Sequence, residues 1–172
     1  MMGHAHQISS FENIISNINS SNTNLVLDFS SINFDDAKII TLANKLHNCN
    51  NLDDLELTFG SFSTSRNYIE HNHLCEILRN IKCKHLKLSI CVGFFKDDFI
   101  KILQNIDIFP IDKVTLFINC SLTSEDLCEC PCPPCNCTTE ILQNLANSEK
   151  YNSIYYNDWQ PGTPYTLYPS PI

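Results

Sequence analysis

Apolar residues follow two different spacings along this chain, and the two alternate. In several short segments every second residue is apolar, which is the period of a strand with one buried side. The doublets at their centres are Leu25/Leu27, Leu55/Leu57, Leu86/Leu88, Val114/Leu116 and Ile154/Tyr156. Between the doublets the apolar spacing is helical, which predicts amphipathic helices. The helical sets are Ala37, Ile40, Ala43, Leu46; Leu74, Ile77, Leu78, Ile81; Phe99, Ile102, Leu103, Ile106; and Ile141, Leu142, Leu145, Ala146.

Polar residues mark two of the expected helix starts. Ser9 followed by Glu12 has the spacing of a capping box. Asn33 followed by Asp35 and Asp36 supplies a cap and then acidic side chains at the positive end of the helix dipole.

The strand doublets recur at a nearly constant interval. Their first members are separated by 30, 31, 28 and 40 residues. Aligned on the doublets, the segments are NTNLVLDFSSI, LDDLELTFGSF, CKHLKLSICVG, IDKVTLFINCS and YNSIYYNDWQP. A strand and a helix repeated at this period predict parallel neighbours joined by right-handed crossovers, because a single such unit cannot bury its apolar side alone.

The second segment, L-x-x-L-x-L-x-x-G-x-F, resembles the leucine-rich repeat pattern, and Cys91 and Asn119 hold the ninth position of the third and fourth segments. The period near 30 and the helical links are similar to the ribonuclease-inhibitor-like branch of that family. Two positions depart from the pattern: Ser30, Gly60 and Trp159 stand at the ninth, and Gly93, Ser121 and Pro161 replace the eleventh-position leucine.

The resemblance implies an α/β fold, a short right-handed leucine-rich-repeat solenoid with a curved parallel sheet on one face and helices on the other. Residues 1–160 would form one domain of about five units, with a Cys/Pro-rich insertion at 128–137, followed by a Pro/Tyr-rich tail at 161–172. The tail either covers the edge of the last repeat or hangs free as a ligand segment.

In this alignment the third, fifth and seventh positions of each unit point outward on the concave sheet face. By unit, the third column is Asn24, Asp54, His85, Lys113, Ser153; the fifth is Val26, Glu56, Lys87, Thr115, Tyr155; the seventh is Asp28, Thr58, Ser89, Phe117, Asn157. Glu56 and Lys87 are expected to be cross-strand neighbours. Either these charges and aromatic rings form a polarised binding face, or the charges pair with one another and only keep an open sheet solvated. The candidate partner-binding residues are Asp28, Asp54, Glu56, Thr58, His85, Lys87, Ser89, Lys113, Thr115, Phe117 and Tyr155.

The extra length of the fourth interval coincides with a cluster of cysteines and prolines. Its thiols are Cys128, Cys130, Cys132, Cys135 and Cys137. Prolines exclude a helix or a central strand here, so the stretch is a surface loop before a helix that begins near Thr138. Three interpretations stay open: a loop with reduced thiols, a zinc or copper(I) site using these cysteines, and a disulfide or redox pair. Cys49, Cys75, Cys83 and Cys91 are expected to serve packing.

Composition narrows the function. The chain has a formal net charge of −8 and no Lys/Arg-rich run, so nucleic acid is not the expected partner. No apolar run is long enough to span a bilayer and the start lacks signal-peptide features, which favours a cytoplasmic protein. With four glycines, no phosphate loop and no nucleophile or zinc motif, an enzyme is not expected.

The sequence therefore predicts binding of another protein through the concave face, without a cofactor. The alternative is a thiol-rich metal-binding or redox-sensing protein that acts through the 128–137 loop. Oligomeric state stays open.

Overall fold

The structure is a computed structural model that describes residues 10–60, 69–92, 97–120, 137–158 and 166–169. Within these ranges the helices are α1 Phe11–Ser16, α2 Asp36–His47, α3 His71–Asn80, α4 Asp97–Gln104 and α5 Cys137–Ala146, and a 3₁₀ turn spans Ile106–Ile108. The strands are β1 Asn24–Phe29, β2 Leu52–Phe59, β3 Cys83–Val92, β4 Ile111–Cys120, β5 Tyr151–Asp158 and β6 Thr166–Pro169.

These strands form one sheet whose spatial order follows the chain from β1 to β6. β1 to β5 are parallel, and a helix lies in the chain between each consecutive pair. Leu27, Leu57, Leu88 and Leu116 are in register across the first four strands. The predicted α/β class and the alignment of the first four segments are therefore confirmed. No helix in the described ranges is both long and apolar enough to cross a bilayer.

One side of the sheet is buried against the helices. The strand doublets form a single cluster with α2, α3, α4 and α5 through side chains such as Leu42, Leu74, Ile77, Leu103 and Leu142. Near one end of this cluster Phe29 stacks on Phe59 with ring centroids 5.6 Å apart, and Phe34 meets both rings edge-on. The other side of the sheet carries the outward side chains.

The buried side of α2 differs from the prediction. Ala37 and Ile40 are exposed, Ile40 at 56%, whereas Ile39 and Leu42 are buried together with Ala43 and Leu46. Positions 39, 42, 43 and 46 follow the i, i+3, i+4, i+7 pattern. A set spaced only by threes, such as 37, 40, 43 and 46, drifts around the helix instead.

Both predicted helix caps are wrong by one or two residues. Ser10, not Ser9, caps α1, because its side chain accepts a hydrogen bond from the Asn13 amide at 3.2 Å. Asp35, not Asn33, caps α2 by accepting from the Lys38 amide at 2.8 Å. Several capping residue types stand side by side at both places, and the backbone geometry selects one of them.

The alignment of the fifth segment is wrong by two residues. It placed Ile154 beside Val114, but Ile154 lies beside Leu116, and the register shifts between Val114 and Thr115. Buried Tyr151 accompanies this shift: its hydroxyl donates to the Leu103 carbonyl at 2.8 Å. Nearby, the Lys150 ammonium donates to the carbonyls of Ile106 and Phe109 at 3.1 and 2.6 Å. The start of β5 is thus fixed by contacts to the previous unit.

Part of the tail joins the sheet. β6 pairs with β5 in antiparallel orientation, with Leu167 opposite Tyr155 and Pro169 opposite Ser153. Of the two alternatives for the tail, residues 166–169 therefore take the edge-covering one.

Candidate binding face of the sheet

The outward side chains of β1 to β6 form what we call the exposed face. The pairing aligns them in three rows that run across the strands. The first row is Asn24, Asp54, His85, Lys113; the second is Val26, Glu56, Lys87, Thr115, Ser153; the third is Asp28, Thr58, Ser89, Phe117, Tyr155, Leu167. All of these side chains are exposed or half-buried.

The two-residue correction in β5 places Tyr155 in the third row, beside Phe117, and not beside Thr115. Asn157, predicted beside Phe117 on the outward face, pairs instead with Asn119 and is buried.

Charged side chains at the centre of the exposed face contact one another across strands. The Lys87 ammonium lies 3.5 Å from a Glu56 carboxylate oxygen, which confirms the predicted neighbours. His85 Nδ1 lies 3.5 Å from Asp54 Oδ1, and His85 Nε2 lies 2.9 Å from the Thr115 hydroxyl. The acidic strand β2 and the basic strand β3 are therefore joined by one ion pair, in which Lys87 balances the charge of Glu56, and by one histidine–carboxylate contact.

Aromatic side chains form the second feature of the exposed face. Phe117 and Tyr155 stack with centroids 4.5 Å apart and an angle of 6° between the rings. The Lys87 ammonium lies 5.3 Å from the Phe117 ring centroid, a cation–π contact. Leu167, 48% exposed, is in register with Tyr155 on the other side. We call Phe117, Tyr155 and Leu167 the apolar row.

The remaining predicted residues lie around these two features. Thr58 and Ser89 separate the apolar row from Asp28, whose carboxylate accepts a hydrogen bond from the Ser30 amide at 2.9 Å. The Lys113 ammonium donates to the Glu149 carbonyl. The structure thus places every predicted partner-binding residue on one side of one sheet.

Sequence reasoning missed Leu167, because the antiparallel return of the tail has no counterpart in the repeat. It also missed a cleft of about 580 Å³ at the starts of β2, β3 and β4. There Lys84 pairs with Asp53 at 2.8 Å, and Lys82 and Asp112 also line the walls. The charged residues at the second position of the aligned segments, Asp53, Lys84 and Asp112, were the available signal for the cleft.

The candidate metal ligands cannot be placed on this framework. Cys128, Cys130, Cys132 and Cys135 lie outside the described residues, and so does the side chain of Cys137, the first residue of α5. Among the described side chains, no group of three or more His, Cys, Asp or Glu residues is arranged to hold a metal ion. The loop interpretations stay predictions from the sequence.

Comparison of this chain with protein-family models, with curated proteins and with solved structures finds no match in any of the three.

Proposed function

We propose that this chain is a leucine-rich-repeat-like solenoid and that its exposed face binds another protein. A repeated strand–helix unit, strands ordered as in the chain and a common register over four strands support the solenoid. We further propose that the protein is cytoplasmic and that it binds without catalysing a reaction.

The apolar row carries the proposal for binding. A half-buried aromatic pair beside an exposed leucine on a sheet face has the character of interface hot spots, where a few large side chains supply most of the binding energy. The paired charges beside the row supply specificity rather than net attraction, because a partner has to match their arrangement to avoid unpaired charge.

An exchange of the Glu56–Lys87 pair tests this function. Glu56→Lys with Lys87→Glu keeps an ion pair across β2 and β3 but inverts the charge pattern beside Phe117. Because exposed ion pairs contribute about 0.2–1 kcal/mol, the free energy of unfolding should change by less than about 1 kcal/mol. Affinity capture from the native cell should then recover the wild-type partner in much lower yield.

The matched control is the same exchange on a helix. Glu76 and Arg79 of α3 lie away from the exposed face and form an ion pair. Their nearest nitrogen and oxygen atoms are 3.0 Å apart. Glu76→Arg with Arg79→Glu should leave partner recovery unchanged. Equal recovery by both exchanged variants would exclude the exposed face as the binding surface. Phe117→Ala should lower partner recovery more than the Glu56–Lys87 exchange does, because it removes the ring that stacks on Tyr155.

A further inference from the structure

β6 differs from every other strand of the sheet. It is antiparallel, has four residues, and its main contacts within the described chain are to β5 and α5. The five parallel strands instead belong to strand–helix units that together form the buried core. A short strand at the end of a sheet, paired on one side with β5, belongs to the part of a protein that opens locally at low free-energy cost.

We propose that the outer edge of β5 is a strand-addition site for an extended peptide segment of a partner protein, and that β6 is its occupant in cis. In strand addition, main-chain hydrogen bonds supply affinity and alternate side chains supply specificity. This site is the edge of the sheet, and peptide binding to that edge can be measured whether or not the exposed face binds a partner. Displacing β6 also removes Leu167 from the apolar row, so it shortens that row at one end.

The pairing of β6 defines the chemistry that the edge accepts. The segment runs antiparallel to β5 and has the order hydroxyl, aliphatic, aromatic, proline: Thr166 opposite Tyr156, Leu167 opposite Tyr155, Tyr168 opposite Ile154 and Pro169 opposite Ser153. Leu167 completes the apolar row next to Tyr155. Proline has no amide proton, so Pro169 ends the ladder and prevents a further strand from adding at that point.

The linker sets the affinity that an external segment needs. Seven residues, 159–165, separate β5 from β6. A short linker gives an effective concentration in the millimolar range, so β6 stays bound in cis even if its intrinsic dissociation constant is only somewhat below about 1 mM. The same segment added as a free peptide should therefore bind an emptied edge with a dissociation constant below about 1 mM.

The strand-addition site can be tested in the full-length chain with a single substitution. Leu167→Pro removes an amide donor from the middle of β6 and should free the edge. The probe is a ¹⁵N-detected titration with the synthetic peptide TPYTLYPSPI, which copies residues 163–172. We expect at least about tenfold stronger binding to the variant than to the wild type, whose edge is occupied in cis, with amide shifts centred on Ser153–Tyr156. The same peptide carrying proline in place of its leucine is the control and should not bind.

A nicked wild-type chain makes the test independent of how the variant folds. A protease site inserted between Gly162 and Thr163 and cut after folding should release a tail that exchanges with fluorescently labelled TPYTLYPSPI. The site is supported if the labelled peptide replaces the cut tail in the nicked chain and the peptide with proline in place of leucine does not. If the cut tail dissociates and no labelled peptide binds at about 1 mM, or if the proline peptide binds equally well, the proposal is overturned.

Discussion

The four cysteines whose side chains the structure describes differ in how far burial suppresses their reactivity. Burial raises the pKa of the Cys83 thiol to about 12, and the nearby carboxylates of Asp112 and Asp54 add to the effect. Burial alone raises the pKa of Cys91 to about 11. Cys49 is also buried and its pKa is raised, whereas Cys75 is half-buried on α3. Since the thiolate is the reactive form, Cys83 and Cys91 are packing residues in the folded chain.

Alkylation should separate these thiols. With iodoacetamide at about pH 8, Cys75 should react well before Cys83 and Cys91, which should react only after the chain opens. Peptide mass mapping over a time course, with a sample in denaturant as control, measures the order. Because folding raises these two pKa values, their protonated thiols stabilise the fold fully below an ordinary pKa of 9.0, and that contribution is lost as pH rises toward 11 to 12. Rapid labelling of Cys83 in the native protein would contradict the buried placement.

Among the helices, α2 shows how a one-residue difference in phase decides what is buried. Ile39 is 2% exposed and Ile40 56%, although they are adjacent and chemically identical. Ile39→Ala should lower the free energy of unfolding by about 2–5 kcal/mol, because it leaves a cavity under the sheet. Ile40→Ala should change it by less than about 0.5 kcal/mol. Urea unfolding of the two variants measures both values, and a similar loss for both would contradict the phase of the helix.

The elements also show which features the sequence can predict. The register of β1 to β4 follows from the doublets, because a slip by one residue would turn each leucine to the solvent. The register of β5 depends on Tyr151 reaching the Leu103 carbonyl and on Lys150 reaching the 3₁₀ turn, and these long-range contacts have no local signal. The exposed face was therefore predictable in β1 to β4. The neighbours of Tyr155, Leu167 among them, were not.

Across the part of the molecule that the structure describes, contacts join each strand mainly to the preceding and following strands, and each helix also contacts the preceding and following helices. Each strand of the sheet pairs only with its sequence neighbours, and the main helix contacts run from α1 to α2, α3, α4 and α5 in turn. In such an arrangement stability is close to a sum of unit terms and interface terms. A change in a central unit therefore weakens two strand interfaces, whereas the same change in the first unit weakens one.

Two equivalent leucines test this dependence on position. Leu88 of β3 and Leu27 of β1 hold the same repeat position and are both buried. Replacing either by alanine should cost about 2–5 kcal/mol. Amide hydrogen exchange should differ, however: Leu88→Ala should lower protection in β2, β3 and β4, while Leu27→Ala should lower it chiefly in β1 and its contacts. If both variants lost protection uniformly over the sheet, the molecule would open as one cooperative unit, and its stability would not divide along the repeats.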